Sequence, residues 1–289
     1  MRMLRLLTAL ALCLGAAACS ARGIGHETAR IGGADIEVFT YRPGDCAPQG
    51  LLFVFHGMSR NAEDYADHAR GFADRACLLV FAPLFDAERF PVWRYHGGGI
   101  ATLEGEIQPP ENWTVPMAGD LIDWGRALEK APDAPVYLFG HSAGAQFLSR
   151  VAAFGDLPDV ARIVIANPST HVMPDLSEPA PFGLGGLPEG QGERLLARYL
   201  SRPVTVYLGG EDTGGENLYA APAAERQGRN RLERGRAAYT AAQTAAARHG
   251  LPCNWKLVEA PGVGHDATRM LDAIQAPAAF GLSVDAAAR

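Results

Sequence analysis

The chain has 289 residues, of which 48% are hydrophobic and 20% charged, and its formal net charge is −6. That balance is enough to bury a sizeable core and excludes a disordered chain. An acidic protein without a Lys/Arg run also excludes nucleic acid as its main partner.

The N-terminus reads "MRMLRLLTALALCLGAAACS": Arg2 and Arg5, a 13-residue apolar run from Leu6 to Ala18, then Cys19. A basic head, a short apolar run and small residues before a cut are the layout of a signal peptide. The run is too short to cross a bilayer, which takes about 20 residues. Residues 1–18 are therefore expected to be removed on export and to lie outside the fold. Cys19 behind three alanines resembles a bacterial lipobox, which would make it a lipidated N-terminus and the membrane contact a lipid anchor. Ala16 stands where that pattern has a larger aliphatic residue, and simple cleavage near Ala18 with release is the alternative. Either route puts the protein outside the cytoplasm, in the periplasm, on the outer membrane or secreted. Losing two arginines and no acid takes the net charge from −6 to −8.

One domain is expected from residue 25 to 289. Apolar runs stand at 36–41, 51–55, 77–83, 136–140, 162–167, 204–210 and 255–260. Most are continuously apolar rather than alternating, as parallel strands covered on both faces require. Helical patterns stand at 61–76, 117–130, 142–154, 193–200, 223–249 and 267–275. Strand and helix alternating in this way predict an α/β class, a doubly wound, mostly parallel sheet of seven or eight strands. The run at 36–41 has no helix after it, so the sheet should open with an antiparallel pair.

Cys46 and Cys77 each stand at the start of an apolar strand. If those strands are parallel neighbours, the thiols begin on one sheet edge and could pair; buried free thiols are the alternative. No cysteine or histidine spacing suggests a metal, and no dinucleotide fingerprint suggests a cofactor. Two connections are long enough to be insertions or lids, 84–116 and 168–203, and both leave carboxyl ends of strands, where open α/β sheets bind ligands. The first carries Phe85, Phe90, Trp93, Trp113 and "HGGG" beginning at His96. Phe85, Trp93, Trp113 and His96 are the candidate substrate pocket.

After the run at 136–140 comes Gly140-His141-Ser142-Ala143-Gly144, at the junction with a helical pattern. A strand that turns at once into a helix strains its central residue and leaves room for no side chain two positions either side. Gly140 and Gly144 fit that need, and Ser142 is the expected nucleophile. A serine needs a base, and partners follow in the order acid, histidine. The run at 204–210 leads into Glu211-Asp212, and the run at 255–260 leads to His265. His265 is the expected base and Asp212 its orienting acid, preferred to Glu211 because it lies one residue further beyond the strand. Asp266 reads as a helix cap or surface residue, and His141 as a packing residue. His26, His68, His171 and His249 read as surface or loop positions. An oxyanion needs two preorganised donors: the N–H of Ala143, and that of Met58, presented by the strand-to-loop His56-Gly57.

"FVFHG", "GHSAG", "GGED" and "GVGH" across 51–265 resemble the α/β-hydrolase superfamily, in particular exported poly(3-hydroxybutyrate)-depolymerase-like and feruloyl-esterase-like bacterial esterases. Gly144-Ala145 departs from that subgroup, which usually has two glycines there. The resemblance implies a serine esterase acting on a small or polymeric ester, without cofactor. Two other functions remain open on sequence: a peptidase or amidase using the same triad, and a non-catalytic exported binding protein.

Overall fold

The computed structural model describes residues 23–283; the signal-peptide and Cys19 expectations fall outside them. The strands are β1 Gly25–Ile31, β2 Ala34–Tyr41, β3 Gly50–Phe55, β4 Leu78–Pro83, β5 Val136–His141, β6 Arg162–Ala166, β7 Val204–Gly209 and β8 Lys256–Ala260. They form one sheet in the order β1-β2-β4-β3-β5-β6-β7-β8. From β4 to β8 every pairing is parallel, while β1–β2 and β2–β4 are antiparallel. The helices are α1 Ala62–His68, α2 Arg70–Ala76, α3 Val92–Tyr95, α4 Met117–Leu128 and α5 Ala143–Phe154. They continue with α6 Gln191–Ser201, α7 Pro222–Glu225, α8 Arg231–His249, α9 Ala267–Asp272 and α10 Ala276–Phe280.

Every residue of β3, β4 and β7 is buried, because helices cover both faces. One core joins α4, α5, α6 and α8 to the sheet through residues such as Phe53, Phe147, Leu196 and Leu232. The other joins α1, α2, α9 and α10 through Val54, Phe72, Met270 and Phe280. Helix α5 is buried at all twelve of its residues, because it packs on β3, β5 and β6 and has α3 and α6 against it.

Four differences from the sequence reading have local causes. The strand β1 reads "GHETARI" and exposes five of its seven residues, so it carries no apolar run; Gly32 and Gly33, both at positive φ, turn it into β2. The pattern at 61–76 is interrupted at Ala69, yet Ala69 N bonds to Tyr65 O and Ala73 N to Ala69 O, so α1 and α2 are nearly continuous. The pattern at 223–249 breaks at Gly228, φ +148, and restarts at Asn230, whose side chain caps α8 by accepting from Glu233 N at 2.9 Å. The pattern at 267–275 ends at Asp272, and the separate α10 has a proline in its first turn. Cys46 and Cys77 form a disulfide, at the starts of the parallel neighbours β3 and β4. Among the described residues no helix is long and apolar enough to cross a membrane.

Candidate active site

Sheet register brings the polar residues to one edge. Phe55 pairs with Gly140, His141 with Ala166 and Gly209 with Ala260, so β3, β5, β6, β7 and β8 all end at nearly the same level. Ser142 is the single residue between β5 and α5, at φ +57, ψ −113. A side chain on Gly140 would run into the carbonyl of Gly144, and one on Gly144 into the carbonyl of Phe55. The strained turn is closed by Ser142 N donating to Ala166 O at 3.1 Å and Gln146 N to Ser142 O at 3.0 Å.

His265 Nε2 lies 3.0 Å from Ser142 Oγ and its Nδ1 lies 2.7 Å from Asp212 Oδ2. The three residues named from sequence thus form one hydrogen-bonded chain. Glu211 is exposed and uses its N–H on Val263 O. Asp266 caps α9 by accepting from Arg269 N at 3.0 Å.

Two supporting residues escaped the sequence reading. Arg231, 2% exposed, is 3.4 Å from Asp212 Oδ1 and donates to Glu216 O at 2.7 Å. A buried carboxylate needs such a partner to stay charged, and a sequence does not say which of its arginines will turn inward. Asn167, buried at the end of β6 with φ +50, accepts from Gly209 N at 2.8 Å and donates to Gly264 O at 3.4 Å. It ties the strand before Asp212 to the loop before His265.

Opposite the serine, His56 is fully buried. Its Nδ1 bonds to Gly57 O at 2.9 Å and its Nε2 accepts from Phe85 N at 3.1 Å, which requires the neutral ring protonated on Nδ1. Burial pushes His56 down to about 4, so it is neutral near neutral pH. Tyr95 adds a bond to His56 O at 2.8 Å. The loop that presents Met58 is therefore fixed from three sides. Ala143 opens α5, so its N–H has no intrahelical acceptor.

His141 packs against His265, with 4.5 Å between ring centroids and the planes tilted by 37°, and bonds to Tyr65 at 3.3 Å. Burial, then the neighbouring His265, hold it well below the ordinary imidazole range, so it is a packing partner rather than a base. His171, read from sequence as a loop residue, is fully buried with neither ring nitrogen hydrogen-bonded; the loop containing it folds inward under Gln227, which clamps its backbone N–H and C=O at 2.9 Å each.

Ser142 and His265 open onto a cleft of about 440 Å3 that Met58, Tyr65 and Asn217 also line. A second cavity of about 90 Å3 lies one turn along α5, lined by Trp93, His96, Gln146, Arg150, Phe182 and Tyr219. Trp93 and His96 thus stand where the sequence reading put a pocket. Phe85 and Trp113 do not: Phe85 is fully buried among Phe55, Phe90, Tyr95 and Phe147. Trp113 packs edge-on against Phe154 and donates to Gln108 O. Both anchor the long loop to the body, since large rings are the cheapest way to bury a loop's apolar side. Among the described residues no three His, Cys, Asp or Glu side chains converge as a metal site.

Known structures resemble the chain closely. LpqC, a poly(3-hydroxybutyrate) depolymerase from Bordetella parapertussis, is 36% identical over 90% of this chain and 90% of its own, with a TM-score of 0.79. Poly(aspartic acid) hydrolase-1 from Sphingomonas sp. KT-1 is 31% identical over 86% of this chain and 96% of its own, with a TM-score of 0.77. A thermostable esterase from Pseudomonas putida ECU1011, 15% identical at a TM-score of 0.51 over 93% of this chain and 82% of its own, shares the fold. No protein-family model and no curated protein sequence matches the chain.

Proposed function

Since the chain belongs to the α/β-hydrolase superfamily, we propose that this hydrolase cleaves carboxylic esters through an acyl-enzyme formed on Ser142. One observation carries the reading: His265 bridges Ser142 Oγ at 3.0 Å and Asp212 Oδ2 at 2.7 Å. Ser142 Oγ attacks the ester carbonyl carbon while His265 Nε2 takes its proton. Asp212 holds the Nδ1–H tautomer and stabilises the imidazolium. The N–H groups of Ala143 and Met58 receive the oxyanion. His265 then protonates the departing alkoxide, and a water deprotonated by the same nitrogen releases the acid. Arg231 pairs with Asp212, and the strained turn at Ser142 sets its hydroxyl at the end of β5.

A fluorophosphonate probe tests the nucleophile. Wild type should label and Ser142→Ala should not, with ester turnover falling roughly 10⁴-fold or more; equal labelling of the two proteins sinks the mechanism.

The same groups on an amide form the second reading, supported by the 31% identity to a protein named poly(aspartic acid) hydrolase. Turnover of aminoacyl p-nitroanilides without turnover of p-nitrophenyl acetate, butyrate or octanoate would favour it. Export remains part of the proposal, and a Cys46–Cys77 disulfide suits an oxidising compartment. Cell fractionation of wild type and Cys19→Ala should separate an anchored protein from a released one.

A further inference from the structure

Arg150 has no task in the mechanism above, and its surroundings are unusual. It lies in the fully buried α5 and is 2% exposed. Room for its stem is made by Gly98, φ +68, where a Cβ would come within 2.9 Å of Arg150 Cβ and 2.6 Å of Val115 Cγ1. Its Nη1 donates only to neutral carbonyls, Gln146 O at 3.3 Å and Thr170 O at 3.0 Å. Its Nε is buried without a hydrogen-bond partner, and no acidic side chain pairs with it among the described residues. Burial lowers it only to about 10, so the cation persists at neutral pH.

A buried charge left without a counter-charge is costly, and none of the described residues supplies one. Arg234, also 2% exposed, is likewise held by carbonyls, those of Ser169, Gly228 and Tyr219. His96 lines the cavity with Nε2 buried and unbonded. Thr170 Oγ1 donates to Gln146 Oε1 at 2.9 Å, which leaves the Gln146 amide as a further donor on the cavity wall. The other walls include the rings of Trp93, Phe182 and Tyr219 and the aliphatic Val92 and Leu103.

We propose that this cavity is a carboxylate-binding subsite, with Arg150 as its charge, for an acid group that the substrate carries a few bonds from its scissile carbonyl. The inference rests on the ester-hydrolase reading of Ser142 and narrows its substrate class. The spacing follows from the helix. Nη1 sits against the Gln146 carbonyl, and Gln146 is four residues, about 6 Å of helical rise, beyond Ser142. A carbonyl held at Ser142 and a carboxylate held at Arg150 would be joined by about four methylenes lying along the aromatic walls. Arginine suits the task, because its planar fork takes both oxygens of a carboxylate and loses little water in doing so.

The test compares p-nitrophenyl hydrogen adipate with p-nitrophenyl methyl adipate, which differ only in the free acid. Wild type should favour the acid by about tenfold or more in kcat/KM, chiefly through KM. Arg150→Met should bring that ratio to one or below, and Arg150→Lys should keep part of it. A wild-type ratio of one or less, or a ratio unchanged in Arg150→Met, overturns the subsite while leaving ester hydrolysis intact. If neither ester shows Ser142-dependent turnover, the ester reading fails instead. Calorimetric titration of adipate into Ser142→Ala then decides the subsite separately: binding that Arg150→Met removes supports it, and no binding refutes it.

Discussion

Two buried ion sites stand within a few turns of each other and are built on opposite plans. At the strand ends, Asp212 is paired from inside the chain with the Arg231 guanidinium and lies 2.7 Å from His265 Nδ1. In α5, Arg150 is surrounded by carbonyls, rings and histidines, with no acid among the described residues paired to it. The first plan fixes a geometry: the charges satisfy each other, and what is left free is one imidazole nitrogen aimed at a hydroxyl. The second leaves a charge in search of a partner. Low dielectric strengthens both, so a protein that closes one circuit and leaves the other open has separated chemistry from recognition.

Substitution at Asp212 breaks the closed circuit with the largest effect. Asp212→Asn would offer an N–H to His265 Nδ1 and drive the proton to Nε2, where it can no longer take the Ser142 proton. The expected loss is roughly 10⁴-fold in kcat on a neutral ester, with KM little changed. Steady-state kinetics checks this, and a loss smaller than tenfold would mean that Asp212 does not set the tautomer.

The next comparison is one of stability. Arg231→Met leaves Asp212 buried with one partner fewer, and should cost about 3 kcal/mol in urea denaturation. Arg150→Met removes a cation that has no internal counter-charge. It gives up two hydrogen bonds to carbonyls and a contact over the Phe182 ring, and relieves the desolvation of a guanidinium, so it should cost about 1 kcal/mol or less. Equal losses at the two positions would erase the distinction between a closed circuit and an open one.

The closed circuit was the legible one. Ser142, Asp212 and His265 each follow an apolar strand run, and parallel strands of similar length end together, so one-dimensional spacing already carried the edge. The Gly-x-Ser-x-Gly pattern added the steric reason. The two flanks were less visible. Strand β1 hides because an edge strand that buries only Ala29 and Ile31 has no apolar run, although its Gly32-Gly33 hairpin turn stood in the sequence. Phe85 and Trp113 were misplaced because an aromatic residue in a long loop reads the same whether it lines a pocket or nails the loop down. Arg150 could not have been found at all. Its meaning depends on α5 being buried on every side and on which acids are absent around it, and absence in space has no signature in sequence.

The last comparison is one of pH and concerns His171, which lies beside the open circuit. Burial, then Arg150 and Arg234, push it down to about 3. The folded protein therefore keeps the ring neutral, while the unfolded chain protonates it below about pH 6.5. Its influence is nil above that pH, and stability is lost as the pH falls from about 6.5 toward 3. One proton taken up only by the unfolded chain corresponds to about 1.4 kcal/mol per pH unit. Between pH 6.5 and 4.5 wild type should thus lose about 2 kcal/mol more than His171→Leu, which has nothing to protonate. His96, at about 3, and His56, at about 4, keep a residual acid slope in both proteins. Denaturation midpoints at several pH values read the difference directly. Parallel acid slopes in the two proteins would show that the fold does not hold His171 neutral.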